Sequence, residues 1–169
     1  MVQQGNTAPF VAPAEIRFLV DRMLGRLAKW LRILGYDALY VRHLSPLGLL
    51  REARRQGRVV LTRDTRIARQ RDAPPFLIVR SDRFREQLRE VIDALALDPY
   101  GRLLTRCVEC NRLLEGADKG AVKATVPAYV WETQERFFRC PGCERVYWGA
   151  THREHILREL KEVAVVGHA

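Results

Sequence analysis

The sequence contains no long apolar segment, since no run approaches the roughly 20 residues that a helix needs to cross a bilayer. Residues 1–14 lack the basic start and the long apolar core of a secretory signal. Their Gln, Gly, Asn, Thr and Pro content is typical of a loose tail. We therefore expect a cytoplasmic protein without a membrane partner.

Lysine is also scarce, and nearly all of the basic surplus is arginine. The 169 residues carry 29 Lys plus Arg against 20 Asp plus Glu, which gives a formal net charge of +9. The planar guanidinium of arginine matches phosphate geometry better than a lysine ammonium does. Nucleic acid therefore leads the candidate partners, although many basic proteins bind nothing anionic and charge alone does not decide the matter.

Cysteine is limited to four residues, which form two Cys-x-x-Cys pairs: Cys107 with Cys110, and Cys140 with Cys143. In a protein that is not exported, so few cysteines favour metal or redox chemistry over structural disulfides. Four thiolates in two such pairs are typical of a closed structural Zn²⁺ site. A redox pair is the alternative, and the presence of two pairs in one segment weakens it.

Charge and cysteine content divide the chain near residue 100. Residues 15–99 carry a balance of +7, whereas residues 100–169 carry +2 and all four cysteines. Between the cysteine pairs, residues 122–138 are expected to form a β-hairpin arm. The expected organisation is a tail over 1–14, a first domain over 15–99, a zinc ribbon with a closing helix at 154–160 over 100–162, and a tail over 163–169.

The first domain alternates short apolar runs with segments of helical periodicity, which predicts an α/β fold with a mostly parallel sheet flanked by helices. Trp30 falls on an apolar helix stripe and is expected in the core. The predicted strands are 17–21, 38–41, 58–62 and 76–79, and the predicted helices are 23–34, 46–56, 65–70 and one that opens at 81–82.

Three aspartates, Asp21, Asp64 and Asp82, each follow a predicted strand closely. Functional groups in parallel sheets collect at the carboxyl ends of strands, and carboxylates that converge there suit Mg²⁺ or Mn²⁺. The alternative is that each aspartate only caps the helix that follows it. The strand-end pattern leaves both interpretations open.

Basic residues surround these aspartates in the sequence and are candidates for RNA phosphate contacts. The alternative is that they form solvated helix faces or pair with the carboxylates. The candidates are Arg22, Arg26, Lys29, Arg32, Arg63 and Arg66.

Several motifs resemble the Mut7-C ribonuclease domain family. Phe18-Leu19-Val20-Asp21 and the string Leu-Gly-Arg-Leu-Ala-Lys-Trp-Leu-Arg over residues 24–32 resemble the opening of the family's domain. Leu61-Thr62-Arg63-Asp64 resembles the family's second signature. Ser81-Asp82 before a Glu-Gln-Leu helix resembles the third signature, and the four cysteines resemble the family's C-terminal ribbon.

The resemblance implies a PIN-like nuclease fold and a divalent-metal-dependent ribonuclease, with Asp21, Asp64 and Asp82 as catalytic and metal-binding candidates and Mg²⁺ or Mn²⁺ as cofactor. One departure is that residues 45–49 carry no carboxylate, whereas members carry one or two there; Glu52 is the nearest substitute. This departure keeps a second interpretation open, that of a noncatalytic module that binds RNA, with the ribosome or tRNA among its candidate partners.

Overall fold

The computed structural model describes residues 16–165, so the tail expected over residues 1–14 and the last four residues lie outside the described part of the chain. A four-stranded sheet forms the first half of the structure, and all of its strand pairs are parallel. Its strand order is β2-β1-β3-β4. The strands are β1 (Arg17–Val20), β2 (Asp37–Tyr40), β3 (Val59–Thr62) and β4 (Phe76–Ile78).

Helices cover both faces of this sheet, as the alternating sequence pattern predicts. They are α1 (Gly25–Ile33), α2 (Pro46–Gln56) and α3 (Phe84–Leu95). Phe18 and Val20 belong to the cluster that contains the apolar residues of α1 and α3, whereas Leu19 lies with those of α2. Because alternate residues of a strand point to opposite faces, a continuous apolar strand fits a sheet that is buried on both sides. The expected α/β fold is confirmed.

Gly35 ends the segment after α1 with a φ of +90°, a conformation that strains any residue with a Cβ. A Cβ at this position would also collide with the backbone carbonyl oxygen of Arg102. The chain therefore turns directly into β2. Trp30 on α1 is buried in the core, as expected from its position on the apolar stripe.

The second half contains the antiparallel sheet β5-β6-β7, formed by β5 (Glu115–Ala117), β6 (Phe137–Arg139) and β7 (Val146–Trp148). The prediction of a β-hairpin arm over 122–138 is wrong for most of that range. The helix α4 (Lys119–Val122) ends where the range begins, and α5 (Ala128–Thr133) lies inside it. Val122, Val126 and Val130 recur every four residues and are buried together. That spacing fits a helical period rather than a strand period.

The C-terminal helix α6 (Ala150–Val165) is longer than the expected closing helix and packs on the α/β core. Its residues Ile156, Leu160 and Val163 join the main core beside α1 and α3. An ion pair of 3.0 Å links Arg85 on α3 to Glu159. The segment expected as a tail therefore begins inside a helix that contributes to the α/β core. Within residues 16–165, no helix is both long and apolar enough to cross a membrane.

Candidate functional site

The carboxyl edge of the parallel sheet holds a small hydrogen-bonded network between the ends of β1 and β3. Thr62 is the last residue of β3, and its buried hydroxyl donates to Asp21 Oδ2 over 2.6 Å. The same hydroxyl accepts the backbone N–H of Asp64 over 3.0 Å. Thr62 thus connects the two aspartates that follow neighbouring strands. Sequence reasoning missed this role, although Thr62 lies in the Leu-Thr-Arg-Asp string.

The backbone fixes Asp21 at this edge, because its N–H donates to the carbonyl oxygen of Leu61 over 3.0 Å. The residue is half-buried. No basic side chain of residues 16–165 lies within ion-pair distance of its carboxylate. Asp21 therefore presents a carboxylate that one neutral hydroxyl orients and that no described cation neutralises.

Asp64 has different surroundings, because it caps the short 3₁₀ turn Thr65–Arg69. Its Oδ1 accepts the backbone N–H of Arg66 over 3.0 Å. The Arg66 side chain also grips the carboxylate, with Nε 2.8 Å from Oδ1 and Nη2 2.7 Å from Oδ2. These hydrogen bonds hold the pKa of Asp64 below its usual range. The capping role that sequence patterns left open for Asp64 is therefore present in the structure.

A cleft of about 600 Å³ opens above this network. Asp21, Thr62 and Asp64 lie on one side of it, and Arg22 and Arg66 also line it; two further polar residues of the lining are Ser45 and Gln70. The remaining wall is mostly apolar and comes from the 3₁₀ turn Arg22–Leu24, from the start of α2 and from Ile67. The cleft thus places two carboxylates, two guanidinium groups and an apolar wall around one space.

Asp82 lies apart from the other two aspartates. It is exposed in the loop between β4 and α3 and is not among the residues that line the cleft. Within residues 16–165, the one group of three or more metal-ligating side chains within 4.8 Å of one another is the set of four cysteines. The structure thus brings Asp21 and Asp64 to one cleft and leaves Asp82 outside it.

Glu52, the nearest carboxylate to the α2 start, does not line the cleft either. Its carboxylate accepts hydrogen bonds from Arg55, with Nη2 2.6 Å from Oε1, and from the Gln56 amide. These hydrogen bonds lower the pKa of Glu52 to about 2. The side chain belongs to the surface of α2, so it does not replace a carboxylate at the cleft.

The six basic candidates have different surroundings. Arg22 and Arg66 line the cleft. Arg63 lies half-buried, with Nη2 3.5 Å from the carbonyl oxygen of Arg80. Away from the cleft lining, the guanidinium of Arg26 lies over the Phe84 ring, and Lys29 pairs with Glu109 over 3.1 Å. Those two contacts match the alternative of surface packing and ion pairs.

The expectation that Arg32 contacts RNA phosphates is not met, because its side chain does not face solvent. Only 6% of it is exposed, and its Nε donates to the carbonyl oxygen of Ala38 over 2.8 Å. Its Nη1 donates to the carbonyl oxygens of Val108 and Glu109, both over 2.8 Å. The guanidinium thus donates to three backbone carbonyl oxygens. These hydrogen bonds attach the segment of the first cysteine pair to α1 and β2.

The four cysteine sulfurs lie within 4.8 Å of one another, between the two Cys-x-x-Cys pairs. Sγ of Cys107 lies 3.5 Å from that of Cys143, and Sγ of Cys110 lies 3.1 Å from that of Cys140. A tetrahedral site with Zn–S bonds of about 2.3 Å requires sulfurs about 3.8 Å apart. A small expansion of the set would accommodate such an ion, so these residues could hold a metal such as zinc.

The backbone around the two pairs repeats the same geometry. Asn111 and Glu144, each directly after a second cysteine, both adopt positive φ angles, of 68° and 58°. Their N–H groups donate to the carbonyl oxygens of Cys107 and Cys140 over 3.0 and 2.9 Å. Two equivalent turns that face each other are the arrangement expected when each supplies two ligands to one ion.

Hydrogen bonds to sulfur adjust the acidity of the thiols. Burial alone would raise the pKa of Cys107, but the N–H of Cys110 and the hydroxyl of Tyr147 donate to its sulfur and lower the pKa to about 6. Burial raises the pKa of Cys110 to about 12. A thiolate metal site releases the remaining protons when the ion binds.

A parallel α/β domain with a two-carboxylate cleft, joined to a four-cysteine module, defines the class of this protein. The chain matches the model of the Mut7-C RNAse domain over residues 16–160, and it belongs to that family. The resemblance read from the sequence is thereby confirmed, and the family indicates an RNA-related role. No curated protein and no solved structure matches the chain significantly.

Proposed function

We propose that this protein is a divalent-metal-dependent ribonuclease that hydrolyses RNA phosphodiester bonds at the cleft. The observation that carries the proposal is the network in which Thr62 holds Asp21 and Asp64 together at the edge of the sheet. A carboxylate pair of this kind supplies the hard oxygen ligands that Mg²⁺ and Mn²⁺ prefer. Membership of an RNAse domain family supports RNA as the substrate.

In this proposal, Asp21 and Asp64 hold the ion. The ion would activate a water molecule and stabilise the leaving oxygen. Thr62 positions the Asp21 carboxylate and the backbone of Asp64. Arg22 lies at the cleft to receive the charge of a phosphate. Asp82 contributes only if its loop moves toward the cleft, so it has the lesser role of the three.

Arg66 competes with the ion for Asp64. Its side chain is 76% exposed, and solvent-exposed ion pairs contribute little to stability. The guanidinium can therefore leave Asp64 at small cost and turn toward a phosphate of the bound RNA. Arg63 and Arg66 retain their proposed roles in RNA binding, together with Arg22.

The four cysteines hold a structural Zn²⁺ in this proposal, since all four ligand positions are thiolates and none is open to substrate. Four cysteines bound to a metal rather than paired in disulfides are typical of a reducing compartment, which supports a cytoplasmic location. The RNA substrate, with the ribosome or tRNA as a candidate carrier of it, belongs to the same proposal.

The test is a cleavage assay on single-stranded and structured RNA, with and without added Mn²⁺. Asp21→Asn and Asp64→Asn are each expected to reduce Mn²⁺-dependent cleavage by about 100-fold or more, because losing a partner of a metal ligand already costs about 10- to 100-fold and these residues would be ligands themselves. Both variants are expected to fold, because asparagine retains an acceptor for Thr62 and remains a good helix cap. Asp82→Asn is expected to lose less activity.

Asp72→Asn is the matched control, since Asp72 is exposed in the loop that precedes β4, at the opposite edge of the sheet. It is expected to cleave like the wild type. Equal cleavage by the wild type, Asp21→Asn and Asp64→Asn would overturn the proposal.

A second candidate, a noncatalytic RNA-binding module, is favoured by the pairing of Asp64 with Arg66 and by the absence of an acidic residue from the first turn of α2. This candidate requires salt-dependent RNA binding without turnover under any divalent metal. The same assay decides between the two, because binding without cleavage by the wild type supports only the second.

A further inference from the structure

Three large apolar side chains stand exposed around the cleft. Met23 is 59% exposed, Leu47 60% and Leu44 42%, and all three line the same space as the two carboxylates. Within residues 16–165, seven large apolar residues are exposed, so nearly half of them lie at this one site. Contiguous exposed apolar surface beside polar groups is typical of a binding site.

These side chains are held by anchored backbone rather than by loose loops. Leu47 lies in the first turn of α2, where the Ser45 side chain accepts the N–H of Gly48 over 3.2 Å. The neighbours Leu49 and Leu50 are buried against the sheet. The packing of α2 therefore orders the turn that carries Leu47, and no charged residue lies in that turn.

Met23 stands on the other side, in the 3₁₀ turn that follows Asp21. Its neighbour Leu24 is buried, so the turn is fixed to the core. A methionine thioether makes favourable contacts with aromatic rings, and its side chain adapts to their shape. Met23 and Leu47 thus supply apolar surface next to the residues that would handle a phosphate.

From this arrangement we propose that the cleft binds one unpaired nucleotide of RNA, with its base against Met23, Leu44 and Leu47 and its phosphate at the guanidinium groups of Arg22 and Arg66. The inference rests on the proposed function and adds its substrate class, which is single-stranded RNA. A base inside a duplex must first leave the stack at a cost of a few kcal/mol, so a duplex binds less well. Apolar contact with the face of a base is tolerant of sequence.

The observations favour a nucleotide over a protein partner because the cleft is mixed in character. Its volume of about 600 Å³ falls within the range of small-ligand sites, and its apolar wall adjoins two guanidinium and two carboxylate groups. A nucleotide presents an apolar face and an anionic phosphate within the same small volume. A second copy of the chain is the competing occupant, and the experiment separates the two.

The experiment uses the full chain labelled with ¹³C at the methionine methyl groups, with no divalent metal added. The sequence contains two methionines, so a Met23→Leu variant assigns the Met23 signal. Titration with oligouridylate and with uridine 5′-phosphate is expected to shift that signal. Ribose 5-phosphate, which lacks the base, is expected to leave it unchanged, and an equal shift with this compound would overturn the inference.

Affinity for a fluorescent oligouridylate supplies the second measurement. Leu47→Ala is expected to weaken binding of the single strand about tenfold, because the base loses the apolar surface of the Leu47 side chain, and to leave duplex binding unchanged. Leu113→Ala is the matched control, since Leu113 is 57% exposed but lies outside the cleft. It is expected to bind like the wild type, and equal affinities for all three proteins would overturn the inference.

Sedimentation of the wild type and of Leu47→Ala distinguishes the competing occupant. Self-association that Leu47→Ala removes, without any response of Met23 to nucleotide, would overturn the inference in favour of a second copy. Because none of these measurements requires turnover, they separate the two proposals. A Met23 response without metal-dependent cleavage supports the nucleotide site and rejects the nuclease, whereas cleavage without that response rejects only the nucleotide site.

Discussion

Arg66 determines how accessible Asp64 is to a cation. Its guanidinium occupies both carboxylate oxygens, and the backbone N–H of Arg66 takes a further position on Oδ1. Asp21 follows β1, whereas Asp64 follows β3, and the Thr62 hydroxyl connects the two. Asp21 has no such cationic partner among the described residues. The two carboxylates therefore differ in availability, although both line one cleft.

Replacing Arg66 by alanine is expected to increase the affinity for Mn²⁺ about threefold, because an exposed ion pair no longer competes with the metal for Asp64. The measurement is a titration in which electron paramagnetic resonance reports free Mn²⁺. Arg69→Ala is the control, since Arg69 is exposed in the same 3₁₀ turn but does not line the cleft. Equal Mn²⁺ affinities for the two variants would show that Arg66 does not limit access to Asp64.

Strand β2 depends on the segment of the first cysteine pair, because Asn111, which follows Cys110, binds its free edge. The N–H of Ala38 donates to Oδ1 of Asn111 over 3.0 Å, and Nδ2 of Asn111 donates to Asp37 over 2.7 Å. Asp37 also receives both Nη groups of Arg58, over 2.6 and 3.1 Å. An exposed edge strand would offer unpaired backbone groups, and Asn111 satisfies one of them.

Replacing Asp37 by asparagine is expected to lower the free energy of unfolding at pH 7 by about 2 kcal/mol, because Arg58 loses its ionic partner in a largely buried place. Burial alone would raise the pKa of Asp37, but the hydrogen bonds from Arg58 and Asn111 keep it below its usual value. A lowered pKa means that this stabilisation is present above about pH 4 and disappears as the pH falls further.

Urea unfolding at pH 7 and at pH 3 measures the effect. The difference between the wild type and Asp37→Asn is expected to shrink at pH 3, because Asp37 binds a proton more readily in the unfolded chain than in the folded protein at that pH. Asp93→Asn serves as the control, since Asp93 also pairs with an arginine, Arg89, but is itself mostly exposed. An equal loss at both pH values would contradict the assigned role of the Asp37 charge.

Secondary structure in the first half was predictable, because each strand and helix has its own apolar period and its own stop. Ser45 and Gly57 cap α2 as expected, and β1 to β4 lie within one or two residues of the predicted strands. The expectation of a hairpin arm over 122–138 was wrong although the sequence carried a signal against it, since Val122, Val126 and Val130 recur with a helical period.

The candidate site was predictable only in part, because sequence position does not determine where a side chain goes. The strand-end aspartates were evident, but Asp64 is paired with Arg66 and Asp82 lies outside the cleft. Arg32 matched the pattern of a phosphate-binding residue, yet its contacts with Val108 and Glu109 join residues more than 70 positions apart. Such long-range partners leave no local signal in a single sequence.

At the scale of the molecule, each half of the chain contributes contacts that stabilise the other. The C-terminal helix α6 returns to pack on α3, so the α/β core is completed by residues that follow the cysteine segment. In the other direction, Arg32 binds two carbonyl oxygens of the first cysteine pair, and Leu104 donates its N–H to the carbonyl oxygen of Ile33 over 2.8 Å. Order in the cysteine module therefore supports the end of α1 and the edge strand β2.

Removal of the metal from the cysteines is expected to loosen more than the cysteine module. Because thiolate sites fold with their ion, residues 107–148 are expected to lose protection from hydrogen exchange, and residues 32–40, at the end of α1 and in β2, are expected to lose it with them. Residues 84–95 and 153–164 are expected to keep their protection, because they pack on each other in the core, away from the cysteines. The measurement is hydrogen exchange by mass spectrometry on the full chain before chelation, after chelation and after Zn²⁺ is restored, with Cys140→Ser as the genetic counterpart. A loss confined to residues 107–148 would show that the α/β domain keeps its edge strand without the metal.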